Sequence, residues 1–271
     1  MTTTTITTHE TVRERTEPRR AHAPIPFRTV LGVELRKMFD TRSGFWLMVG
    51  IAAAGVLATG AVILFAGDAD LTYDNFAAAI GVPMTILLPV LAILSVTGEW
   101  SQRAGLTTFT LVPHRGRVIR AKFAVTLLVG VASMALALTV GALGNVVATG
   151  IKGVDTVWDL SFTTILYIVG ADLIGMVVGF MLGVVTRNSA GAIVAYFSYW
   201  FVLPTLSMVL AANQAWFEKA QPWVDFNYDQ GKLYDGGFTG QDWAQLATTG
   251  AVWLVLPLAF GLWRVVRAEV K

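Results

Sequence analysis

The sequence predicts an all-α, polytopic membrane protein with six transmembrane helices, an N-terminal interfacial helix and a cytoplasmic helix between spans two and three. Three observations predict it. Of the 271 residues, 55% are hydrophobic and 14% charged, against roughly 45–50% and about 25% in soluble domains, so most of the surface needs lipid as its solvent. The apolar residues fall in runs of about 20, the length that crosses a hydrocarbon core of about 30 Å. Lys and Arg are also unevenly placed. Seventeen of the 20 lie before the first span, in the second-to-third and fourth-to-fifth connections, or after the sixth span. Basic loops are retained in the cytoplasm, so both termini are expected on the cytoplasmic side of the inner cell membrane. Lys152, Lys219 and Lys232 are then outside.

Along the chain, residues 1–27 hold a Thr-rich stretch and then RERTEPRRAHAPIP, with no apolar core of the kind a signal peptide needs. They read as a disordered cytoplasmic tail, and residues 28–271 as a single six-span domain. The stretch FRTVLGVELRKMFDTRSG sets Leu31, Leu35, Met38 and Phe39 at helical spacing opposite Arg36, Lys37 and Arg42. It predicts a helix lying flat on the membrane, broken from the first span at Ser43 and Gly44. The spans are expected at Gly44–Ala66, Phe76–Thr97, Phe123–Thr149, Phe162–Val185, Gly191–Ala212 and Leu246–Trp263. Between the last two, Trp216, Phe217, Trp223, Phe226, Tyr228, Tyr234, Phe238 and Trp243 make an aromatic outer segment. Amphipathic rings favour the headgroup level, so this segment is expected to dip into the outer interface as short helices. It would either cap a pathway or serve as an aromatic girdle.

The second-to-third connection, GEWSQRAGLTTFTLVPHRGRVIRAK, is too long for a turn and too polar for lipid. Residues Glu99 to Leu111 can form a short amphipathic helix that Gly105 interrupts and Pro113 ends. The interfacial helix, the six spans and the spacing Glu99, Gly105, Pro113, Arg115 together resemble the permease subunits of type-2 ATP-binding-cassette (ABC) transporters. The segments LRKMFDTRSGFW and RNSAGAIVAYF are similar to actinobacterial members of that family. The resemblance implies a coupling helix that docks on a soluble ABC ATPase subunit through Glu99, Trp100, Arg103, Gly105, Leu106, Thr107, Phe109, Pro113 and Arg115. It also implies a second copy of this chain or a sister permease, and export as the direction of transport. No G-x4-GK[ST] phosphate loop occurs in the sequence. ATP and Mg would therefore belong to the partner ATPase, with no cofactor on this chain and no enzymatic site of its own. Lipid is the other expected partner, and nucleic acid is not one.

Asp172 falls near the middle of the fourth span, where a carboxylate is costly unless paired or hydrated. Gly175, Gly179 and Gly183 follow on the same helix face at a spacing that lets another helix come close. This face is expected to serve helix packing or a transport pathway, with Asn145 of the third span a possible partner for Asp172. Pro83, Pro89, Pro204 and Pro257 lie within spans as kinks, hinges or packing points. Cysteine is absent and the three histidines, His9, His22 and His114, lie outside the spans. With no HExxH and no G-x-S-x-G, an intramembrane hydrolase lacks its chemistry. Two further alternatives are an ion-coupled secondary transporter built around Asp172 and a non-transporting membrane scaffold. The six spans show no evident internal repeat.

Overall fold

The computed structural model describes residues 25–101 and 115–267. Among them the protein is all-α, with six helices long and apolar enough to cross a membrane. An amphipathic helix α1 (Phe27–Asp40) leads to α2 (Arg42–Phe65), the first span. Helices α3 (Tyr73–Ser101), α4 (Arg115–Lys152) and α5 (Phe162–Thr186) carry spans two to four. The fifth span is α6 (Ser189–Phe197) and α7 (Leu203–Asn213) joined by a π-turn. Two short helices follow, α8 (Ala215–Val224) and α9 (Phe226–Asp235). The sixth span is α10 (Gly240–Gly250) and α11 (Leu256–Arg267), again joined by a π-turn.

Helix α1 and the first span meet at a sharp corner. Thr41 is extended and accepts a hydrogen bond from Gly44 N at 3.2 Å, capping the first span. A Cβ on Gly44 would lie 2.0 Å from the Met38 carbonyl oxygen, so only glycine admits this close approach. The break thus comes at Thr41, two residues before the Ser43 and Gly44 step that the sequence favoured, because the cap precedes the glycine it needs. Helix α1 buries Val30, Glu34 and Met38 and leaves Phe39 exposed. The inward face is therefore one position out of phase with a purely apolar stripe. Glu34 belongs to it through ion pairs with Lys122 of α4 at 2.5 Å and with Lys37 at 2.8 Å.

The centre of the bundle is the contact between α5 and α3. A Cβ on Gly179 would meet the backbone oxygen of Pro89 at 2.6 Å, and one on Gly183 would meet Ile93 O at 3.3 Å. The glycine stripe lets the two helix backbones pack at this distance. Pro89 has no N–H, which leaves the Thr85 carbonyl without its usual partner four residues on. Tyr196 of the fifth span donates its hydroxyl to that carbonyl at 2.6 Å. One proline thus draws a third helix into the junction.

The sixth span runs from Gly240, six residues earlier than the apolar run alone implied. Thr239 forms a capping box with Asp242 that starts the helix in polar sequence, and Trp243 becomes part of the span. Both broken spans share a local pattern, Trp-x-Val-Leu-Pro, at 200–204 and 253–257. Each π-turn closes with an N–H to carbonyl bond five residues back, from Leu203 to Ser198 and from Leu256 to Ala251, just before Pro204 and Pro257. The extra residue in the turn is how each helix accommodates its proline. The two spans therefore do share a short internal repeat, five residues long, although no repeat was expected from the sequence.

Candidate functional site

Helices α8 and α9 form a hairpin packed among spans four, five and six. Tyr167, Phe238 and Trp243 cluster at its upper end, with ring centroids 4.9 to 6.1 Å apart. Such rings mark a membrane interface. At its tip, Phe226 lines an apolar groove together with Val178, and neither Tyr167 nor Phe238 belongs to that groove. Tyr167 and Val178 are eleven residues apart on one helix, about 16 Å along its axis, which sets the tip well below the ring cluster. Trp253, at the midpoint of the sixth span, donates its indole N–H to Val224 O at 2.8 Å, which fixes the same depth independently. The expected short helices are therefore present, but they reach about halfway into a hydrocarbon core of about 30 Å rather than resting at its surface.

The hairpin carries polar side chains inward, and these meet Asp172. The carboxylate is 1% exposed and accepts a hydrogen bond from the Tyr234 hydroxyl at 3.3 Å through Oδ1. Its Oδ2 is buried with no hydrogen-bond partner. Beside it, Gln230 donates to Ala171 O at 2.9 Å and accepts from Tyr199 at 2.6 Å. Gly175 leaves room for this group, since a Cβ there would lie 3.3 Å from the Gln230 amide nitrogen. Asp229, also buried, accepts from Thr249 at 2.8 Å. Spans four, five and six are thus joined through one polar cluster built on α9. Asn145, the partner considered for Asp172, instead donates to Val157 O at 2.8 Å and holds the third-to-fourth connection. Sequence reasoning named Tyr234 only as an interfacial ring and missed Gln230 because the segment around it reads as interfacial, and it missed Tyr199 because that residue lies within the apolar run of the fifth span. The signal that could have found them is the interleaving of Asp229, Gln230 and Lys232 with aromatic positions, which a surface girdle does not require.

At the opposite end of the bundle, α3 continues through Glu99 and Trp100 to Ser101, and α4 begins at Arg115. Of the nine positions expected to dock a partner, Glu99, Trp100 and Arg115 thus belong to the ends of two long helices. Arg103, Gly105, Leu106, Thr107, Phe109 and Pro113 lie outside the described residues. Trp100 packs against the central apolar cluster, with the Arg187 guanidinium 6.0 Å from its ring centre. Arg187 takes a left-handed conformation (φ 54°) at the end of the fourth span, and Asn188 caps the fifth. This two-residue turn holds the foot of the fifth span beside the end of α3, where Thr97 and Ser189 hydroxyls lie 2.7 Å apart.

Close by, Glu34, Lys37 and Lys122 line a cavity of about 180 Å³ between α1 and the first three spans. Among the described residues no group of three or more His, Cys, Asp or Glu side chains could hold a metal ion. The fold and these features define a multi-pass helical membrane protein whose buried polar groups join its spans. No family model matches the chain, and no curated protein matches it.

Proposed function

We propose that this chain is the membrane-spanning permease subunit of an ABC transporter, exporting its substrate across the cytoplasmic membrane when a separate ATPase subunit binds and hydrolyses ATP. The observation that carries the reading is the pair of long helices flanking residues 102–114. At 29 and 38 residues, α3 and α4 are about 44 and 57 Å long. A hydrocarbon core of about 30 Å needs far less. The surplus on the basic side would hold the intervening segment away from the lipid as the tip of a stiff lever. The base of that lever is the backbone-to-backbone contact where α3 meets the glycine stripe of α5.

In this reading Glu99, Trp100 and Arg115 set the base of the docking segment, and the residues between them supply its surface. A partner's movement would pass along α3 to Pro89 and from there to the fourth and fifth spans. Both termini are cytoplasmic, and the pathway is completed by a second copy or a sister permease. The test is a mild-detergent pull-down from native membranes, with and without charge reversal at Glu99 and Arg103. Co-purification of a soluble ATPase that is lost in the variant supports the reading. Well-folded wild-type chain that brings down no ATPase overturns it.

One observation favours a second reading, an ion-coupled carrier. The unpartnered Oδ2 of Asp172 is the kind of buried carboxylate that can take up and release a proton within a membrane. On this reading, Asp172→Asn abolishes pH-driven uptake in vesicles while assembly is unchanged. If Asp172→Asn leaves transport intact, the carboxylate serves packing alone.

A further inference from the structure

A groove of about 490 Å³ runs between the fourth and fifth spans and the hairpin tip. Its walls are apolar, with Met181, Leu203 and Leu206 on one side and Phe226 and Trp253 on the other. Leu203, Leu206 and Trp253 are exposed, so the groove is open along the flank of the bundle. Almost none of the fifth span is buried, and this flank faces hydrocarbon once the protein is in a membrane. One charged side chain lines it, that of Asp225.

Asp225 stands at the tip of the hairpin, at the depth fixed by the neighbouring Val224 to Trp253 bond. Its Oδ1 accepts from Tyr228 N at 3.1 Å, and its Oδ2 accepts from the Ser207 hydroxyl. A carboxylate can accept about four hydrogen bonds, so half its capacity is unused. No Lys or Arg among the described residues forms an ion pair with it. A carboxylate set on an apolar groove at this depth is a seat for a positive charge, since few other polar groups there could share it. A strongly hydrated cation would have to shed its water to reach it. A cation already wrapped in apolar groups would not, and the rings of Phe226 and Trp253 would add cation–π attraction.

We propose that this groove binds a lipophilic cation, with its positive centre against the Asp225 carboxylate and its apolar groups along spans four and five. An anionic amphiphile of the same shape is excluded by the same carboxylate. As a substrate site this deepens the transport reading and rests on it. As a binding site it does not, because the measurement uses the isolated chain with no ATPase present.

The experiment is equilibrium dialysis of the purified full chain in dodecyl maltoside against tetraphenylphosphonium, with tetraphenylborate as a probe of the same shape and opposite charge. The expected result is saturable binding of one phosphonium per chain and no saturable binding of the borate. Asp225→Asn keeps a side chain that caps α9. It should weaken phosphonium binding about tenfold or more, the cost of removing one partner of a desolvated charge pair. Leu203→Trp fills the wall without touching the charge and should also abolish binding. Equal binding of both probes, unchanged phosphonium affinity in Asp225→Asn, or no saturable binding at all overturns the proposal. So does a Leu203→Trp chain that merely converts a dimer to a monomer, which would assign the groove to a second copy. Should Asp225→Asn fail to fold, the comparison of the two probes on wild type and Leu203→Trp still decides.

Discussion

The fourth and fifth spans follow one another in the chain, separated by two residues, and each is a 25-residue apolar stretch. More than half of the fourth is buried, against 6% of the fifth. Hydropathy does not decide this: the fourth span is somewhat the more apolar of the two, but the first span matches it in hydropathy and is only 17% buried, because lipid and protein interior are alike to an apolar side chain. What separates them is residue size. The fourth span presents Gly175, Gly179 and Gly183 on one face, and the backbone of α3 fits against that face. The fifth presents large side chains such as Phe201, Leu206 and Met208 on most of its surface and is attached mainly at its foot and by its two tyrosines. In a membrane, close packing rather than hydrophobicity selects which helices form the centre.

The comparison can be broken most severely at its tightest point. Gly179→Leu drives a side chain into the Pro89 backbone, which cannot move aside as a flexible side chain would. The expected cost is at least about 3 kcal/mol, near the upper end of overpacking effects. It should appear as loss of a monodisperse peak in size-exclusion chromatography. Glu34→Ala comes next. It removes the carboxylate shared by Lys122 and Lys37 beneath α1, and should lower stability by about 2–3 kcal/mol in a detergent melting experiment.

A double-mutant cycle sharpens the account of the junction itself. Tyr196→Phe should cost about 1 kcal/mol in the native background, since the Thr85 carbonyl loses its donor. In a Pro89→Ala background the restored N–H can serve that carbonyl, and the same substitution should cost close to nothing. Equal costs in both backgrounds would show that the hydroxyl matters for some other reason. The smallest effect belongs to the fifth span. Leu206→Ala removes a lipid-facing side chain and should change the melting point by no more than about 0.5 kcal/mol equivalent. A larger loss would reveal a packed interface on that flank.

Much of this was legible in the sequence, and the rest fails for identifiable reasons. Span lengths, the break before the first span and the glycine stripe depend on local composition and spacing, which a sequence displays directly. The polar cluster depends on three segments that are distant in the chain: Asp172, Tyr199, and Gln230 with Tyr234. Nothing in the fourth span indicates that its carboxylate meets a tyrosine 62 residues later. Glu34 likewise carries no local sign of its burial, since a lone carboxylate on an amphipathic helix normally faces water. Its burial depends on Lys122 arriving from another helix. Of the expected docking positions, the three on described residues close or open long helices.

By itself, then, the sequence determined that the chain spans a membrane with helices, how many times it does so, and which helix face admits a close neighbour. Those properties follow from transfer of side chains into lipid and from the absence of a Cβ, both of which are local. Only the tertiary structure decided that the aromatic segment turns back into the bilayer, that Asp172 is held by the hairpin rather than by Asn145, and that Asp225 faces an apolar groove. A buried polar group is satisfied or left short by whichever donor comes within about 3 Å of it. That distance is set by the packing of the whole bundle.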